Sequence, residues 1–148
     1  FGASRGSSAR VASAPLAVHS DSSARAVSLV ETSGWVDHLR SADAELSAAL
    51  NSDRVATHSF VIGELACGNL GNRDTVLSLM RALPRLPAAD DDEVLFLIER
   101  HRLMGRGIAY IDAHLLASVA IAAPALLWTR DKRLSAIAAE MGLAFKRQ

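Results

Sequence analysis

A chain of 148 residues that is half apolar carries enough hydrophobic side chain for one domain with a sizeable core. Its 16 basic and 16 acidic residues cancel, so it lacks the strong positive charge of a general polyanion binder. Arg, Asp or Glu interrupts every apolar run before it reaches the roughly 20 residues needed to cross a bilayer, so no membrane role is expected.

Residues 1–25 are rich in Ser, Ala, Arg and Gly and show neither helical nor strand periodicity. They are expected to form a disordered N-terminal extension; a targeting peptide is disfavoured because no continuous apolar segment accompanies the arginines. The remaining chain, 26–148, reads as the folded domain. Its single cysteine, Cys67, rules out an intrachain disulfide and suits a reducing, cytoplasmic compartment.

The folded part opens on a short apolar run, Val27, Leu29 and Val30, that breaks at Glu31 and then at Thr32 and Ser33. This pattern predicts a buried strand delivering an acid to a helix start. Trp35, Val36 and Leu39 mark a short amphipathic helix, 44–50 a second with Asp43 near its start, and 54–58 a second strand. Phe60, Val61, Leu65 and Ala66 support a helix carrying Glu64 that stops at the Gly68-Asn69 and Gly71-Asn72 breaks. A further helix is expected over 74–83, ended by Pro84 and Pro87.

Asp90, Asp91 and Asp92 precede an apolar helical run over 94–103. Adjacent residues do not share a helix face, so this acidic triplet reads as an N-cap with favourable helix-dipole charge rather than as a metal site. Gly105-Arg106-Gly107 is a loop, and 108–122 is a long apolar segment interrupted by Asp112 and His114. A strand over 125–129 follows, then Asp131, a helix over 134–141 closed by Gly142, and a last short strand over 143–145. Helices alternating with short apolar strands predict a three-layer α/β domain with a mainly parallel sheet.

Four acids fall where apolar structure should hold them. Glu31 and Asp131 lie just past strands, Glu64 lies within an amphipathic helix, and Asp112 lies at the start of the most hydrophobic helix. Each alone has an ordinary explanation as a cap or a solvated side chain. Together they would repel one another unless something positive intervened, and an all-oxygen acidic cluster suits a hard divalent cation, Mg²⁺ or Mn²⁺. The five histidines show no metal-ligand spacing, and no phosphate loop, dinucleotide fingerprint or serine-nucleophile elbow is present.

The blocks VETSGWVDHLR, SFVIGELACG, YIDAHLLAS and LWTRDKRL resemble, in this order, the PIN-domain ribonucleases, and specifically the VapC-type toxins of bacterial toxin-antitoxin pairs. The resemblance runs from about Val27 to the C-terminus. It implies a PIN-like α/β/α sandwich and a metal-dependent endoribonuclease whose acidic quartet, Glu31, Glu64, Asp112 and Asp131, binds Mg²⁺ or Mn²⁺. The neighbouring hydroxyls are Thr32, Ser33 and Thr129. Arg100, Arg102, Arg106 and Arg130 are candidates for holding the RNA backbone, arginine being suited to bidentate phosphate contacts. A homodimer and a VapB-type antitoxin are the implied partners, and Trp35, Val61 and Leu65 are candidates for serving those surfaces. The family carries aspartate at the position of Glu31 and more often a small aliphatic residue than Gly34. A glutamate reaches about 1.5 Å further where catalytic placement tolerates about 0.5 Å, which predicts a weakened site. A catalytically impaired PIN fold that acts by binding antitoxin or RNA is the alternative.

Overall fold

The computed structural model describes residues 26–148, so the expectation for residues 1–25 lies outside it. Three strands form one sheet: β1 (Ser28–Val30), β2 (Val55–Ala56) and β3 (Leu126–Trp128). Its order is β2-β1-β3, and both pairings are parallel, with Ser28 opposite Val55 on one side and opposite Leu126 on the other. Parallel neighbours require crossovers, and the crossovers are helical. Helices α1 (Thr32–Ser41) and α2 (Ala44–Asn51) link β1 to β2. Four more, α3 (Ser59–Cys67), α4 (Arg73–Ala82), α5 (Asp91–His101) and α6 (Tyr110–Ile121), lead to β3, and α7 (Lys132–Glu140) follows it. The architecture is the expected PIN-like α/β/α sandwich.

The strands are shorter than the apolar runs suggested, because pairing ends where the chain turns into a helix. The expected last strand is a single bridge, Ala144 against Leu127, and Arg85 bridges Thr57 in the same way beyond β2. Irregular chain therefore covers β3, and the chain just past β2, through bonds such as Phe145 N–H to the Leu127 carbonyl (2.9 Å) and Leu86 N–H to the Thr57 carbonyl (2.9 Å). Covered edges leave little backbone open to pairing with another chain.

Helix starts follow local chemistry. Asp90 and Glu93 form a reciprocal capping box, which starts α5 three residues ahead of the apolar run and bears out the N-cap reading of the acidic triplet. Helix α6 is buried continuously from Ala113 to Ala120, the behaviour of a helix that is apolar all round. It forms the centre of a core that includes Leu29, Val30, Val61, Leu65, Leu97, Leu127, Leu134 and Ile137. Trp35, Val61 and Leu65 are at most 5 % exposed and belong to this core rather than to a surface. Helix periodicity alone does not distinguish the buried stripe from its exposed neighbours Val36, Leu39 and Phe60.

Gly34 has a steric reason for being glycine. A Cβ there would lie 2.9 Å from Val30 Cγ1, a stiff, wholly buried branch, so the missing side chain lets α1 approach β1 closely.

Candidate active site

In the order β2-β1-β3 the chain leaves β1 to one side for β2 and returns on the other side as β3. Open α/β sheets place ligands outside the carboxyl ends of the strands at such a reversal. The carboxyl end of β1 carries Glu31, Thr32 and Ser33, and that of β3 carries Thr129, Arg130 and Asp131. Glu31 N–H bonds to the Trp128 carbonyl at 2.8 Å, which ties the two ends together.

Glu31 is the N-cap of α1, and three donors converge on its Oε2: Ser33 N–H (3.0 Å), Ser33 Oγ (2.5 Å) and Thr129 Oγ1 (2.8 Å). Glu64, on α3, accepts from Thr32 Oγ1 at 3.1 Å through Oε1. Asp112, in the first turn of α6, accepts from Ala109 N–H at 3.0 Å through Oδ2. Asp131 caps α7 by accepting from Leu134 N–H at 2.9 Å through Oδ1. The same division recurs in all four acids. One oxygen is committed to the fold, and among the described residues the other accepts no hydrogen bond.

The electrostatics agree. Burial raises the Glu64 carboxyl above its ordinary pKa, the Thr32 hydroxyl partly opposes this, and the charges of Glu31 and Asp112 push it further up. Burial likewise raises Asp112, against the Ala109 N–H, with Glu31 and Asp131 adding repulsion. These couplings link all four acids. Among the described residues, no arginine or lysine pairs with any of them. No three acidic, histidine or cysteine side chains stand as a closed metal cage among the described residues. The donor set nevertheless fits a hard divalent cation: all oxygen, mutually repelling, and each acid with an uncommitted oxygen.

All three expected hydroxyls lie inside this arrangement. Thr32 reaches Glu64, while Ser33 and Thr129 reach Glu31. Beside Glu64 runs an open groove lined by Ser59, Phe60, Gly63, Cys67 and Ile111. The arginines divide. Arg100 and Arg102 are exposed at the end of α5. Arg106 is bound bidentately by Glu140 (2.9 and 2.8 Å), and Arg130 by Asp37 (2.6 Å) and Asp43 (3.2 Å). This carboxylate network around Arg130 is not legible in the sequence. Each arginine lies 87 residues or more from the carboxylates it binds, and the local signal, Asp43 ahead of α2, points to a cap.

No protein-family model matches the chain. It is 52% identical over 116 residues to Ribonuclease VapC32 of Mycobacterium tuberculosis, and the same match is found in two strains of that organism. The alignment covers 78% of this chain and 94% of the relative. Together with the 2-1-3 parallel sheet and the acids gathered at its switch point, this identity shows that the chain belongs to the VapC-type PIN-domain ribonuclease family.

Proposed function

We propose that the chain is a metal-dependent endoribonuclease toxin that hydrolyses RNA phosphodiester bonds and is neutralised by a VapB-type antitoxin. One observation carries this reading: four acids at the carboxyl ends of β1 and β3 and on the adjoining helices each give one oxygen to the fold and keep one uncommitted. Glu31, Glu64, Asp112 and Asp131 would hold Mg²⁺ or Mn²⁺. When bound, such an ion lowers the pKa of a water and neutralises charge developing on the scissile phosphate.

The protein's own groups have separate tasks. Ser33 and Thr129 fix Glu31, Thr32 fixes Glu64, and the Ala109 amide fixes Asp112, so the carboxylates meet a cation without first losing rotamer freedom. Arg100 and Arg102 are the exposed cations assigned to the RNA backbone. Arg106 and Arg130 could serve there only by exchanging a carboxylate partner for a phosphate. The nuclease domain spans 26–148, with residues 1–25 as an extension. The exposed apolar side chains Val36, Leu39, Phe60 and Leu79 suit the surfaces of a homodimer and an antitoxin. Among the described residues no helix is long and apolar enough to cross a membrane, and the exposed Cys67 thiol is free; both are compatible with the cytoplasm.

A second reading, a PIN fold that binds antitoxin or RNA without cutting efficiently, draws on Glu31. Its longer side chain folds back to cap α1, with Oε2 fully engaged. RNA cleavage by the purified chain with Mg²⁺ or Mn²⁺, against EDTA and an Asp112→Asn control, tests the first reading. Cleavage that survives EDTA or the substitution excludes the metal mechanism. Glu31→Asp separates the two readings: a gain of about tenfold or more in cleavage supports a length-weakened site, and an unchanged rate refutes it.

A further inference from the structure

The turn that follows β3 supplies Thr129 and Asp131, and it is held from two sides. On the inner side Arg130 N–H donates to Ser33 Oγ (2.9 Å) and Asp131 N–H to Thr129 Oγ1 (3.0 Å), both hydroxyls being those that grip Glu31. On the outer side the last residues of the chain close over it. The Phe145 ring stacks on Trp128 at 4.0 Å and 3°, and the Arg147 guanidinium lies 5.9 Å from the centre of the same indole. Arg147 Nη2 donates to Asp43 Oδ2, its Nε to Glu45 Oε2 (3.1 Å), and Gln148 N–H to Glu45 Oε1 (2.9 Å).

Asp43 joins the two sides. Its Oδ1 caps α2 through Glu45 N–H (3.0 Å) and Leu46 N–H (3.1 Å). Its Oδ2 receives Arg147 and also Arg130, whose guanidinium is shared with Asp37 on α1. The Asp43 side chain is only 9 % exposed, and burial by itself would raise its pKa. The Leu46 amide and the Arg147 charge outweigh that and hold the carboxyl below its ordinary value. Asp43 is therefore a charged hub held between two arginines.

We infer that Arg147, acting through Asp43, is a positioning residue for the candidate active site. It fixes the Arg130 side chain and so sets where Thr129 and Asp131 stand relative to Glu31. The physical ground is leverage. Strand β3 is three residues long, and among the described residues the backbone pairing on its outer side is the single Ala144 bridge, so side-chain contacts add to what its ladder does for the turn that follows. Two arginines sharing one carboxylate link that turn to α1, α2 and the C-terminal segment at once. The inference rests on the nuclease reading for its consequence, but not for the geometry.

The test uses the full chain with Asp43→Asn, Arg147→Gln and Arg147→Lys. Asparagine retains an oxygen able to cap α2 while removing the charge that holds both arginines. The first readout, amide hydrogen exchange at Arg130 and Asp131, needs no metal; the second is Mn²⁺ affinity by calorimetry. Asp43→Asn and Arg147→Gln should each speed exchange at both amides about tenfold and weaken Mn²⁺ binding about tenfold, while Arg147→Lys recovers part of the protection. If these amides exchange at wild-type rates while that of Phe145 is freed, Arg147 only anchors the tail and the inference falls. A wild-type chain that neither binds Mn²⁺ nor cuts RNA defeats the nuclease reading, and the exchange rates still decide the positioning role.

Discussion

Helices α3 and α6 carry two polar pairs of opposite character. Where α3 begins, wholly buried His58 accepts from Phe60 N–H through Nδ1 (3.0 Å), which leaves the ring proton on Nε2 for the Ser118 hydroxyl (2.9 Å). Ser118 Oγ also accepts from Ala89 N–H (3.1 Å). Six residues beyond His58 and six before Ser118 stand Glu64 and Asp112, each with one oxygen bonded and one uncommitted. The first pair is closed, and its chemistry is spent on the fold. The second is half open and retains an electrostatic cost that a ligand can relieve.

Breaking the closed pair gives the largest expected effect on stability. Ser118→Ala leaves two buried N–H groups without an acceptor and should cost about 2–4 kcal/mol in chemical denaturation. Cleavage per folded molecule should be unchanged. A matching loss of specific activity would show that the two pairs are not independent.

Acid should act on the two pairs in opposite directions. Burial, with the charges of His114 and Arg85, lowers the His58 pKa from 6.5 to about 4. The unfolded chain is therefore protonated first. The stability this residue contributes is complete above pH 6.5 and is lost as the pH falls toward 4, at most about 3 kcal/mol. Glu64 and Asp112 have raised values, so their burden on the fold is relieved as the pH falls through their own range. Denaturation midpoints measured across pH 4–7 should fall with acid in the wild type and flatten in His58→Asn, which keeps a cap for α3. An unchanged slope in that variant would remove His58 as the cause.

Gly34→Ala should produce a smaller loss, about 1 kcal/mol in thermal unfolding. The clash with Val30 Cγ1 outweighs the gain in helix propensity.

How legible these features were depended on how local their causes are. The strand-to-acid step at Glu31, the capping box at Asp90 and the core helix around Asp112 follow from neighbouring residues, and their positions were evident in the sequence. The four acids and three hydroxyls of the candidate site also lie within four short blocks of sequence. The division of each carboxylate into a bonded and an uncommitted oxygen was not evident there, because it depends on which hydroxyl or amide each acid meets after folding. The network joining Arg130, Asp43 and Arg147 was likewise hidden. It is assembled from three distant segments, and each arginine alone looks like a surface residue. The core roles of Trp35, Val61 and Leu65 needed the packing itself, since an amphipathic pattern gives a helix its apolar face without saying what covers it.

In the proposed nuclease the half-open acids, and not the closed pair, make the divalent-cation site. The most direct test of this assignment is Mn²⁺ titration by calorimetry of the wild type, Glu64→Gln, Asp112→Asn and Ser118→Ala. Binding is expected in the wild type and in Ser118→Ala, with affinity reduced a hundredfold or more, about 3 kcal/mol, in each acid variant. Wild-type affinity in Glu64→Gln and Asp112→Asn would contradict it.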